Sequence, residues 1–320
     1  MKKLLAAMFV ALLMVGCGED EETTKVVEDD TATSAPEPSR EPSPAPVLAP
    51  EAPPPKPRTP PKKVSSVPVN LSTSEAVGKP FTIADLSMDM LWVKPGTFEM
   101  GSPLGEAKRR YSETPHTVTL SRGFYLGKHE VTQSQWEKVM GSNPSWYKGG
   151  NRPVEKVSWT DVTSFCNKLT ASERTAGRLP AGMAYQLPTE AQWEYACRAG
   201  TKTTFSFGDE LTAKDANYAY DGFGTGLQRT SDVGEYPANG WGFHDMHGNV
   251  WEWCADWYGD YPAGAARDPV GPAVGSDRVR RGGSWYVSAD FARSAFRGRA
   301  GPASFFIRLG FRLSLRPASQ

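Results

Sequence analysis

The sequence predicts an α+β fold: one loop-rich domain with a few short helices and strands. Three observations lead there: strand-like runs come first, three helix-start signals follow, and a long stretch after Gly200 has no sustained period. Leu91 to Gly101 reads as two short strands around the Pro95-Gly96 turn. His116 to Leu126 reads as another pair around Ser121-Arg122-Gly123. Thr132 with Gln135 three residues on forms a capping box ahead of Trp136, Val139 and Met140. Ser158, with Asp161 in the first turn, opens a second helix whose Trp159, Val162, Phe165, Cys166 and Leu169 recur at helical spacing. Thr189 with Gln192 opens a third, which Gly200 is expected to cap at its C-terminus.

The chain has 320 residues with 36 basic and 36 acidic side chains, so net charge singles out no partner and no nucleic acid is expected. All ten tryptophans lie beyond residue 90, which confines the core to the C-terminal part. Residues 1–16 read as a lipoprotein signal peptide: Lys2 and Lys3 precede an apolar run, Leu4 to Val15, too short to span a bilayer. The run ends Met14-Val15-Gly16-Cys17, which resembles a bacterial lipobox with Cys17 as the lipidated residue. Gly18 after that cysteine favours the outer membrane. Residues 17–86 are acidic, then Pro/Ala/Ser/Glu-rich, and read as a disordered tether. The folded domain is expected over 87–320.

Three runs resemble the formylglycine-generating enzymes, also called sulfatase-modifying factors: Leu187 to Tyr195, Gly248-Asn249-Val250-Trp251-Glu252-Trp253, and Arg281-Gly282-Gly283-Ser284-Trp285. The resemblance covers roughly Leu91 to Leu315 and implies a C-type-lectin-like domain. It also implies a copper site built from two cysteines downstream of the Gly-Gly-Ser run. Those positions read Val287 and Ala292, which have no metal-binding atom. Trp251, Ser284 and Trp285 match the surroundings of that site. Copper is therefore not expected, and classical formylglycine formation is doubtful on chemical grounds.

Calcium is the expected cofactor. The resemblance assigns a site to Asp245, Gly248, Val250 and Glu252, the middle two through carbonyl oxygens, a donor set that suits a hard cation. A second, weaker site falls on Asn217 and Tyr218, with Thr225 or Asp221 as the downstream ligand. Of four cysteines, Cys17 is assigned to lipid, leaving Cys166, Cys197 and Cys254. Cys166 and Cys197 match disulfide-forming positions, but the matching partners read Leu313 and Arg297. Cys254 is left either to pair with one of them or to stay a buried thiol. From Gly271 onward there are nine arginines against Asp277 and Asp290. Arg280, Arg281, Arg293, Arg297 and Arg299 dominate this run, a candidate surface for a carboxylate or acidic glycan.

Three readings stay open. The first is a lipid-anchored domain, held at the membrane of the bacterial envelope, that binds a protein, peptide or glycan. The second is an oxidase, and the third a structural component of a surface assembly.

Overall fold

The computed structural model describes residues 78–220 and 226–318. The signal peptide, Cys17 and the tether up to residue 77 lie outside the described residues. Regular structure begins at Phe81, upstream of the expected start at 87. Strand β1 (Phe81–Ile83) pairs antiparallel with β2 (Met88–Val93) through a 3-10 turn at Ala84–Leu86. Phe81, Ile83 and Leu86 are buried. Three alternating residues next to a proline-rich stretch are too few to declare a strand; the edge of β2 supplies the missing partner.

The two expected strand pairs form, but not as two separate hairpins. Strands β3 (Gly96–Met100) and β4 (His116–Leu120) pair with each other, while β2 pairs with β5 (Phe124–Gly127). The result is one long ribbon, bent where both of its strands cross from one sheet to another. The bend falls at Lys94-Pro95 opposite Ser121–Gly123. Proline has no N–H for the ladder, and a Cβ on Gly123 would sit 2.1 Å from the Trp92 ring.

The largest sheet runs β1-β2-β5-β12-β6, with β12 (Ser314–Pro317) between β5 and β6 (Met183–Gln186). A second runs β10-β9-β7-β11 and holds β7 (Trp251–Trp257), β9 (Arg278–Arg281), β10 (Gly298–Ala300) and β11 (Leu309–Gly310). The third is β3-β4-β8, closed by β8 (Ala266–Arg267).

The three helices start where the sequence places them. Helices α1 (Gln133–Met140), α2 (Trp159–Thr175) and α3 (Glu190–Arg198) each carry a complete capping box, on Thr132, Ser158 and Thr189. Each cap satisfies otherwise orphaned N–H groups and contributes about 1 kcal/mol. The end of α3 differs from expectation: Ala199, with φ of 47°, is the left-handed cap, one residue before Gly200. Because Cβ atoms alternate along a strand, β5 buries Tyr125 in one core and Leu126 in another. The first core stacks Trp136 on Phe165 at 5.3 Å and sets Phe311 edge-on to both. The second gathers Trp193, Cys197, Phe243 and Cys254 behind α3.

Candidate functional site

The Gly-Gly-Ser turn positions the residues expected around a copper centre. Gly282 and Gly283 take φ of 91° and 73°. A Cβ on Gly283 would lie 2.9 Å from Ala292 Cα, so glycine lets α4 (Ala289–Ala292) pack on the turn. Ser284 is buried, and its carbonyl accepts from the Val287 N–H at 3.2 Å. The Val287 carbonyl accepts from the Ala219 N–H at 3.0 Å, and the Ala292 carbonyl from His247 Nδ1 at 2.7 Å. Ala292 is fully buried beside Phe205, Leu211 and Tyr218. Trp285 donates to the Ile307 carbonyl and stands edge-on to Tyr147 and Tyr286. Trp251 opens β7 beneath Arg280. The structure thus brings Trp251, Ser284, Trp285, Val287 and Ala292 into one region, with hydrocarbon where the two metal ligands would be.

Among the described residues, no thiol substitutes for them. Cys166, Cys197 and Cys254 are free and buried, so Cys254 pairs with neither of the others. Burial pushes Cys166 and Cys197 up to about 12 and Cys254 well above its ordinary value. Each is therefore a protonated, unreactive thiol at neutral pH. His247, 3.7 Å from the Cys197 sulfur, is pushed down to about 4 by burial and accepts from the Ser206 N–H through Nε2. An imidazole that resists protonation this strongly, with Nε2 already accepting from Ser206, is too weak a base to take the thiol's proton.

The segment expected to hold calcium is built around three carboxyl groups. Glu252 is gripped by Arg312 and accepts from Trp193 Nε1 at 2.7 Å. Asp245 takes the Gly234 N–H at 2.7 Å; burial raises it to about 6, moderated by that hydrogen bond and Arg312. The third, Glu130, was not apparent from the sequence. It is fully buried beside Asp245, and among the described residues no donor reaches either oxygen. Burial, then Asp245 and Glu252, raise Glu130 well above the carboxylate range. Among the described residues, no three His, Cys, Asp or Glu side chains form a ready-made metal cluster. The donor set does include carbonyls and an orphaned carboxyl of the kind that calcium takes.

The second expected site adjoins the first. Gly248, at φ of 92°, lets the chain approach so closely that a Cβ there would meet the Asn217 carbonyl at 2.2 Å. That carbonyl accepts from the Asn249 N–H at 2.8 Å. Asn217 Oδ1 is buried with no donor, while Tyr218 is buried with its hydroxyl on the Leu211 carbonyl. Asp221 and Thr225 lie outside the described residues.

Most of the expected arginine surface is interior. Arg281 pairs with Glu194, Arg297 binds Glu190 through two hydrogen bonds of 2.7 Å, and Arg293 binds Glu113 and Glu106. All three arginines are buried. Arg299 is exposed and 4.0 Å from Asp277. Among the described residues, Arg280 has no carboxylate partner. The carboxylates come from segments far upstream, so a count of local charge could not reveal them.

The match to known proteins agrees with this architecture. A model of the sulfatase-modifying factor enzyme 1-like domain matches residues 79–316. The chain belongs to the sulfatase-modifying factor family. It is 32% identical over 254 residues to the chaperone protein LppX of Paenibacillus barcinonensis, covering 67% of this chain and 84% of that one. Against the formylglycine-generating enzyme of Mus musculus it is 34% identical over 196 residues, 57% of this chain and 49% of the mouse protein. It therefore spans about half the length of that enzyme. Among solved structures, Treponema denticola variable protein 1 is 33% identical with a TM-score of 0.65, covering 75% of this chain and 99% of that one. PvdO from Pseudomonas aeruginosa is 29% identical with a TM-score of 0.65, covering 74% and 98%.

This family member also contains a cavity of about 310 Å³ at the start of α3, away from the Gly-Gly-Ser turn, which the sequence did not announce. Glu190, Asp256, Tyr261, Arg297 and His116 line it. Asp256 accepts the Glu190 N–H at 2.8 Å and is raised to about 7 by burial and then by Glu190. Burial raises Glu190 too, but Arg297 and Arg281 outweigh it and hold the group below its ordinary value. Chain segments from Met100 to Arg297 supply the lining, so no single motif could have signalled it.

Proposed function

We propose that this chain is a lipid-anchored envelope protein whose sulfatase-modifying-factor domain binds a protein, peptide or glycan and does not work as a copper oxidase. The observation that carries the reading is chemical. The two positions that the resemblance gives to copper-binding thiolates hold Val287 and Ala292, and Ala292 is sealed beneath the Gly282-Gly283 turn. The cysteines elsewhere in the domain are buried and protonated. These residues do not fit copper(I), which prefers accessible thiolates.

The surroundings that remain favour recognition. Trp146, Tyr286 and Phe305 are exposed, at 66%, 40% and 59%. Tyr147 and Trp285 connect this aromatic surface to the Gly-Gly-Ser turn. A lipid anchor at Cys17 would hold the domain at the outer membrane. Within the domain, Asp245, Glu252 and the carbonyls of Gly248 and Val250, joined by Glu130, would hold calcium. The ion would offset the crowding of Glu130 by Asp245 and Glu252 and fix the loop beneath the turn.

The test is to incubate the full chain with copper, oxygen, reductant and a peptide carrying Cys-x-Pro-x-Arg, beside an active formylglycine-generating enzyme. Mass spectrometry reads the peptide cysteine. An unchanged cysteine is expected; conversion to formylglycine overturns the reading and makes the chain an oxidase.

A further inference from the structure

Among the described residues, two guanidinium groups next to the Gly-Gly-Ser turn have no counter-charge. Arg280 lies over the Trp251 ring at 4.7 Å and the Phe306 ring at 5.9 Å. Arg308 lies over the Tyr286 ring at 4.9 Å and over the same Phe306 ring at 5.5 Å. Phe306 therefore contacts both cations. Arg280 Nε and Nη1 are shielded from water and donate to nothing. Among the described residues no carboxylate pairs with either arginine, whereas Arg281, Arg293, Arg297 and Arg312 each hold one.

This arrangement is unfavourable in isolation. Cation–π contact offsets part of the lost hydration, but a guanidinium with unmade hydrogen bonds beside a like charge remains frustrated. Burial and then Arg308 push Arg280 down to about 10. The Lys156 backbone N–H donates to the Phe306 carbonyl, and Lys156 Nζ lies 5.7 Å from the exposed Trp146 ring. Arg280, Arg308 and Lys156 present only donors. An ionised carboxylate presents only acceptors. Sugar hydroxyls also need acceptors, which these three side chains do not supply.

We propose that Arg308 and Arg280 clamp a carboxylate of an acidic peptide segment, Arg308 by direct contact and Arg280 by its unpaired charge across the Phe306 ring, since its Nε and Nη1 are closed to a ligand. The exposed rings of Trp146, Tyr286 and Phe305 flank the clamp and take the apolar parts of the same peptide. The clamp names the ligand class for the binding role proposed above and rests on that reading.

The test is fluorescence anisotropy of a fluorescein-labelled tetraglutamate peptide with the full chain, beside tetraglutamine and tetragalacturonate probes. Salt-sensitive, saturable binding of tetraglutamate alone is expected, weakened about tenfold or more in Arg308→Ala and in Arg280→Met. Arg280→Met is expected to melt at the same temperature as the parent or higher, because it removes an unpaired desolvated charge. A loss of peptide affinity in that variant is then not a loss of fold. Equal tetraglutamate binding by parent and both variants overturns the clamp and leaves a binding role elsewhere on the domain intact. No tetraglutamate binding, or arginine-dependent binding of tetragalacturonate alone, overturns the peptide assignment. Conversion in the cysteine-oxidation assay would sink the binding role while leaving the clamp to be judged on these affinities.

Discussion

Arg312 grips Glu252 through two hydrogen bonds of 2.7 Å, with both side chains removed from solvent. The same guanidinium donates to the carbonyls of Gly127 and His244. One arginine from the C-terminal strand region thus ties together β5, the loop before the Gly-Asn turn and β7. Its pKa is raised despite burial because Glu252 faces it, so the guanidinium stays charged.

Removing one partner should therefore be severe. Arg312→Ala leaves Glu252 buried without its cation and is expected to cost about 3–5 kcal/mol. Chemical denaturation would measure it. A loss below about 1 kcal/mol, the scale of a surface pair, would mean that the pair does not organise the fold.

Calcium should act on the neighbouring carboxyls. The melting temperature is expected to rise with added calcium and to fall again with chelator, by the usual linkage of binding to folding. Glu130→Gln should weaken that response while stabilising the calcium-free protein, since it removes a buried group crowded by Asp245 and Glu252. Calorimetry with and without the ion reads both effects. An unchanged response in Glu130→Gln would exclude Glu130 from the site.

Stability should decline as pH rises towards neutrality. Asp256 titrates near 7 in the folded protein against an ordinary 3.8. Between those values the folded state holds a proton that the unfolded chain has released. Stability from this group is thus complete below about 4, declines as pH climbs to 7, and is flat above. The slope from one proton is at most about 1.4 kcal/mol per pH unit. Asp256→Asn should flatten that part of the melting profile; an unchanged profile would place the titration elsewhere.

Cys166, Cys197 and Cys254 should resist alkylation in the native protein at mildly alkaline pH, because burial raises all three. Full labelling is expected only after denaturation. Peptide mapping by mass spectrometry separates these sites from Cys17, and rapid native labelling of Cys254 would reopen a redox role.

The sequence by itself determined what depends on neighbours a few residues apart. A capping box closes over three residues, so Thr132–Gln135, Ser158–Asp161 and Thr189–Gln192 are legible from residue order alone. The exchange of thiolates for Val287 and Ala292 is legible too, because residue identity alone removes the ligand atoms. Tertiary structure decided the rest. It paired β2 with β5 and β3 with β4, since ladder partners lie across a bend that local turn signals do not encode. It also sorted the arginines. Arg281 meets Glu194 across 87 residues and Arg293 meets Glu113 across 180, which turns an apparent basic surface into buried ion pairs. Arg280 and Arg308 received aromatic rings and no carboxylate. Charge composition counts every arginine alike, whereas desolvation and the reach of a partner set what each can do, and both exist only once the chain has folded.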